Sequence, residues 1–180
     1  MNKIYLSLIT LVLTILVTTA YAGAVTIQYT ATDLPDNDPN QDLWQYSYQV
    51  SDYTFSQGIG FTIYFELGLY NSLSPVSSPE GWDVISWNPD PDLPGDGAYD
   101  AEAIVDNPSL NAPFVVEFVW LGNESRPGAQ PFEIYDSSDW HTIETGTTIP
   151  APVPLPSTLL LLLSGAAGLC WEYRLHLKRS

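Results

Sequence analysis

The sequence predicts an all-β protein, an antiparallel β-sandwich of Ig-like or jelly-roll-like kind, set between two apolar terminal segments. Three observations lead there. Apolar and polar residues alternate with period two in several runs, the segments between those runs are crowded with Pro, Asp, Asn, Ser and Gly, and nothing from Gly23 to Pro150 keeps a helical period. Seven or eight strands, with turns about 8 to 12 residues apart, suit two packed antiparallel sheets.

The first element is a short apolar helix. Lys3 supplies a positive start, Ile4 to Val17 is apolar apart from Ser, Thr and Tyr, and Ala20-Tyr21-Ala22 presents small residues at Ala20 and Ala22. Residues 1–22 therefore read as a signal peptide cleaved after Ala22. The apolar run is about 14 residues and a spanning helix needs about 20, which favours export over a retained anchor.

The strands follow. Val25 to Thr30 is the first candidate, and Trp44, Tyr46, Tyr48 and Val50 then alternate with Gln45, Ser47, Gln49 and Ser51. Ile59, Phe61, Ile63, Phe65 and Leu67 alternate with Gly60, Thr62, Tyr64 and Glu66, and Phe114, Val116, Phe118 and Trp120 put a third apolar row on one side. Trp82 to Trp87, Ala98 to Val105, Phe132 to Tyr135 and Thr142 to Ile149 are shorter, rich in β-branched or aromatic residues. Asp33 to Asp42, Asn71 to Gly81, Asn88 to Gly97, Asp106 to Pro113 and Gly122 to Pro131 read as turns, because proline presets φ and Asx side chains cap local amides. The sandwich is expected over residues 23–145, and residues 146–156 form a proline-rich linker.

Charge and composition bound the partners. Of 21 Asp and Glu all but Glu172 lie between the terminal segments, leaving 20 acids there against the single base Arg126, a net near −19. Nucleic acid is excluded as a partner, since binding it requires Lys and Arg to displace phosphate counterions. Cys170, the only cysteine, lies in the C-terminal apolar run, so the domain has no disulfide and no cysteine metal site. Five of the six Trp and all six Phe lie in the domain, which argues for a packed core despite the charge.

Candidate chemistry is sparse. Asp90, Asp92, Asp96 and Asp100, in a loop with Gly95 and Gly97, could converge on Ca²⁺, which takes six to eight oxygens in irregular geometry. The competing reading is a solvated turn, because the spacing is not an EF-hand's and prolines stiffen the path. Asp36, Asp38 and Asp42 form a second acidic loop with the same two readings. No other cofactor is expected. His141, the one histidine between the terminal segments, follows Asp139 by two residues, but no Gly-x-Ser-x-Gly elbow accompanies it. The expectation is a non-enzyme, with a glycan-active hydrolase as an alternative needing two convergent carboxylates. Trp44, Trp82, Trp87, Trp120 and Trp140 could instead offer flat faces to sugar rings. Trp120 sits on an apolar face and reads as core, while one of Trp82 and Trp87, oddly spaced on one short strand, should face solvent.

The chain ends with Val153-Pro154-Leu155-Pro156-Ser157, an uncharged run from Leu159 to Cys170, and the bases Arg174, Lys178 and Arg179. Ser157 to Trp171 as a helix measures about 22 Å, short of the roughly 30 Å hydrocarbon layer. Residues 157–173 are expected to be a single transmembrane helix, with the basic tail 174–180 held at the cytoplasmic headgroups and the domain outside. Pro154 and Pro156 stop the helix and leave an extended peptide at the outer membrane face.

This tail resembles the PEP-CTERM sorting signal, with Leu155 where the family carries Glu. The domain resembles one carried by such proteins, in Tyr29 to Leu34, Asp42 to Val50, Phe61 to Phe65, Gly81-Trp82-Asp83, Trp120-Leu121-Gly122 and Gln130 to Asp136. The resemblance implies an exosortase-type membrane peptidase as partner and delivery to the envelope, outer surface or extracellular matrix after transient single-pass membrane residence. It also implies association with exopolysaccharide or biofilm. A carbohydrate-binding module, with or without calcium, is the alternative role.

Overall fold

The computed structural model describes residues 24–36, 38, 39 and 41–153. Ten strands run through them: β1 (Thr26–Asp33), β2 (Asp42–Ser51), β3 (Ile59–Phe65), β4 (Tyr70–Ser77), β5 (Trp82–Trp87), β6 (Gly97–Ala103), β7 (Phe114–Trp120), β8 (Pro131–Asp136), β9 (His141–Thr147) and β10 (Ile149–Pro150). The first sheet has the order β10-β1-β2-β7-β4 and the second β5-β6-β3-β8-β9. Neighbours are antiparallel except β1 and β10, which run parallel through Gln28 opposite Ile149 and Tyr29 opposite Pro150. The signal peptide 1–22, Pro154 to Ser157, the helix 157–173 and Arg174, Lys178 and Arg179 lie outside the described residues. Among the described residues no helix is long and apolar enough to cross a membrane.

Alternation becomes a two-sheet core because each inner row meets another. Tyr46, Tyr48 and Val50 of β2 and Phe114, Val116 and Phe118 of β7 are buried on one side, Phe61, Ile63 and Phe65 of β3 on the other. Phe114 takes the edges of Phe61 and Trp82 from the opposite sheet, at ring-centroid distances of 4.9 and 5.0 Å. Phe65 meets Tyr70 of β4 at 5.0 Å and 87°. Edge-to-face pairs of this kind add about 0.5 to 1.5 kcal/mol each beyond the area they bury. The core thus replaces the disulfide that a cysteine-free domain lacks.

A buried amide ties the two sheets at one end. Gln130, 1% exposed, lies just before β8 of the second sheet, and its Oε1 accepts from the Tyr48 hydroxyl at 3.1 Å and from Thr148 Oγ1 at 3.3 Å. Its Nε2 donates to the Tyr70 hydroxyl at 3.0 Å and also to the Tyr46 hydroxyl and the Gly128 carbonyl. Tyr46 and Tyr48 belong to β2 and Tyr70 to β4, so one side chain anchors both layers. The Tyr99 hydroxyl, by contrast, is buried with no hydrogen-bond partner among the described residues.

Two departures from the sequence reading have local causes. The stretch from Asn71 to Gly81, expected to be a turn, contains most of β4. β4 is an edge strand whose pairing with β7 shifts register twice, between Asn71 and Ser74 and again between Pro75 and Ser77. Ser72 takes a φ of 56°. Only Tyr70 and Leu73 of β4 are buried, so the strand shows no period-two signal, and its Pro75 is tolerated because edges need no second ladder. The expected linker, in turn, begins inside the sheets: Gly146 and Thr147 complete β9, and Ile149–Pro150 pairs with β1. Strand pairing therefore runs to Pro150.

Candidate functional site

The second sheet turns one face to the core and the other outward. Register sets the outer rows: Ile85 lies opposite Asp100, Asp100 opposite Thr62, and Thr62 opposite Glu133. The row on one side runs Asp83, Glu102, Gly60, Tyr135, and the row on the other Trp87, Ala98, Tyr64. Four carboxylates, from Asp83, Asp100, Glu102 and Glu133, thus share a face with no Lys or Arg on it. Period-two alternation accounts for this local polarity, since the inner partners of these positions are core residues.

Hydroxyl groups hold the carboxylates in place. Asp100 accepts from Thr62 Oγ1 at 2.7 Å and from the Tyr135 hydroxyl at 2.9 Å. Glu133 accepts from the Tyr64 hydroxyl and from Thr142 Oγ1 at 2.9 Å, and Glu102 from Ser137 Oγ at 3.1 Å. Burial pushes the Asp100 carboxyl above its ordinary value, with Glu102 and Asp83 adding to the rise and the bonds from Thr62 and Tyr135 working against it. Burial likewise raises the Tyr64 and Tyr135 phenols, helped by the neighbouring Glu133 and Asp100 respectively. These phenols stay protonated and act as donors.

Two tryptophans flank the rows. Trp87, on edge strand β5, is 50% exposed. Trp140, in the β8–β9 turn, is 73% exposed and stacks on Tyr135 at 5.6 Å and 19°. Tyr135 in turn lies across Gly60, a position where an added Cβ would come within 2.5 Å of the Tyr135 ring. Trp140 has a φ of 59°, held by its amide donating to the Asp136 carbonyl at 2.8 Å. The other three tryptophans among the described residues, Trp44, Trp82 and Trp120, are 7% exposed and belong to the core, Trp120 as its apolar row implied and Trp82 as the inward member of the Trp82 and Trp87 pair.

The acidic loop singled out in the sequence distributes its carboxylates. Asp90 Oδ1 accepts from the amides of Asp92 at 2.8 Å and Leu93 at 3.4 Å, Asp96 Oδ1 from the Leu67 amide at 2.9 Å, and Asp100 belongs to the outer face of β6. Asp36 and Asp42 likewise bond the Leu43 amide and the Trp44 indole. Among the described residues the group of three with ligand atoms within 4.8 Å of one another is Asp136, Asp139 and His141. Asp136 and Asp139 also accept turn amides there, from Ser138 and His141, and Asp139 pairs with His141 Nδ1. That bond raises the His141 pKa and lowers that of Asp139.

The sequence offered Trp87 and Trp140 as candidate sugar platforms and Asp100 as a candidate Ca²⁺ ligand of the acidic loop, but not the row that joins Asp100 to Thr62 and Glu133. The available signal was that Gly60, Thr62 and Tyr64 occupy the non-core side of a strongly alternating strand. Which distant strands pair beside it was not readable. No protein-family model matches the chain, and no curated protein matches it in sequence.

Proposed function

We propose that this chain is a non-enzymatic exported protein of the cell envelope or extracellular matrix whose sandwich binds exopolysaccharide on the outer face of the second sheet. A PEP-CTERM-like signal, Val153 to Ser157 with the helix 157–173 and Arg174, Lys178 and Arg179, delivers it through an exosortase-type membrane peptidase. The observation that carries the binding role is the row Asp100, Thr62, Glu133 lying between two exposed tryptophans on one face. Indole faces stack on the apolar side of a sugar ring, and fixed acceptors beside them take its hydroxyl protons. An open face with carboxylates bonded to the sheet's own hydroxyls supports binding rather than bond cleavage.

Affinity electrophoresis of the purified protein through gels containing host exopolysaccharide tests this reading. Retardation should fall sharply in Trp87→Ala and Trp140→Ala and be unchanged by a mutation on the first sheet such as Gln45→Ala. Equal migration with and without polysaccharide would defeat it. Chelator resistance of the retardation separates a metal-free face from a calcium-assisted one. Mass spectrometry of the mature C-terminus, with and without the exosortase, tests the sorting half: cleavage near Pro154 to Ser157 should vanish with the enzyme.

A further inference from the structure

We infer that the cavity at the Tyr64 end of this face takes the protonated amine of an amino-sugar residue, so that the preferred glycan is a partly or fully de-N-acetylated one; this rests on the glycan-binding reading above. The cavity measures about 260 Å³ and is lined by Tyr64 near the end of β3, Glu66 just after it, Tyr70 at the start of β4, Trp120 at the end of β7, and Asn123 and Glu124 of the β7–β8 loop. Tyr64 also ends the Trp87, Ala98, Tyr64 row, so the cavity continues the outer face.

The polarity of the lining selects the ligand. Apart from the Asn123 amide, the side-chain donors named here are already committed: the Trp120 indole donates to the Glu124 carbonyl at 3.2 Å, the Tyr64 hydroxyl to Glu133, and the Gln130 amide to Tyr46, Tyr70 and Gly128. Its acceptors are not. The Glu66 and Glu124 carboxylates take no hydrogen bond from any described residue, and the lining contains no Lys, Arg or His. Two uncompensated carboxylates beside aromatic walls call for a ligand that brings N–H donors and positive charge. A sugar ammonium supplies both, whereas an acetamido group supplies one neutral N–H. The net charge near −19 of the stretch between the terminal segments adds long-range attraction for a cationic polymer.

Isothermal calorimetry on the full-length protein in detergent, with short β-1,4-linked oligomers of N-acetylglucosamine and of glucosamine as probes, tests the inference. The glucosamine oligomer should bind about tenfold more tightly or better, a margin that shrinks with added salt. Glu66→Gln with Glu124→Gln should abolish the margin and leave binding of the acetylated oligomer intact. Glu80→Gln with Asp92→Asn, which removes the same charge elsewhere, should keep it. Equal affinity for the two oligomers, both sensitive to Trp87→Ala, overturns the cavity assignment while sparing the face. Equal loss in the two double variants also overturns it, by making net charge the cause. Absence of binding by either oligomer overturns the inference and counts against the face as well.

Discussion

Tyr135 occupies the space above Gly60 that a side chain would take: an added Cβ would lie 2.5 Å from the Tyr135 Cζ and hydroxyl oxygen and 2.8 Å from the Ala101 carbonyl. The two residues face each other across β3 and β8, and Trp140 stacks on the same Tyr135 ring. Absence of a side chain on β3 therefore leaves room for the ring on which an exposed indole of the β8–β9 turn stacks.

Gly60→Ala should consequently destabilise the fold by about 1 to 3 kcal/mol, the usual cost of forcing an added methyl into a filled space. It should also displace Trp140. Chemical denaturation reads the first effect, and a red shift or change in quenching of Trp140 fluorescence, taken against Trp140→Phe, reads the second. An unchanged midpoint and spectrum would mean the ring is free to move aside.

Tyr99→Phe is expected to leave stability unchanged or raise it by about 1 kcal/mol, because it deletes a buried hydroxyl that has no partner to lose. Few substitutions in this core share that expectation. A loss above about 1 kcal/mol in urea denaturation would reveal a partner for that oxygen.

Gln130→Leu should do the opposite. It strips partners from the Tyr46, Tyr48, Tyr70 and Thr148 hydroxyls together, and leaving buried polar groups unpaired costs about 1 to 3 kcal/mol for each that cannot reach another acceptor. A double-mutant cycle with Tyr48→Phe should show strong coupling, since removing both ends of a buried bond is milder than removing one.

The raised carboxyl of Asp100 gives a pH dependence of definite sign. The folded state holds this proton to a higher pH than the unfolded chain does, so between the unfolded and folded pKa the native state binds more protons and stability falls as pH rises. Below the unfolded value the contribution is fully present. Asp100→Asn should flatten this part of the stability curve, measured by urea denaturation across the range just above the ordinary Asp value. A steeper decline in the variant would contradict the assignment.

Legibility in the sequence followed the strength of the alternation. β2, β3 and β7 were readable because four or more apolar residues recur at every second position, and β5 and β7 begin and end where the pattern does. Odd spacing told that the two tryptophans of β5 face opposite ways, and the structure decided that Trp82 is the inward one. β4 was invisible for the complementary reason: two buried residues, a proline and two register shifts leave no period to detect.

The sequence by itself determined the all-β class, the inner face of each long strand, the extreme acidity and the absence of a thiol from the domain, since all of these depend on composition or on neighbours two residues apart. Only the tertiary structure decided that Asp100, Thr62 and Glu133 form one row between Trp87 and Trp140, that Gln130 joins both sheets, and that Pro150 pairs with Tyr29. Those relationships join residues tens of positions apart through strand order and register, which arise from how two whole sheets bury their aromatic faces rather than from any local pattern.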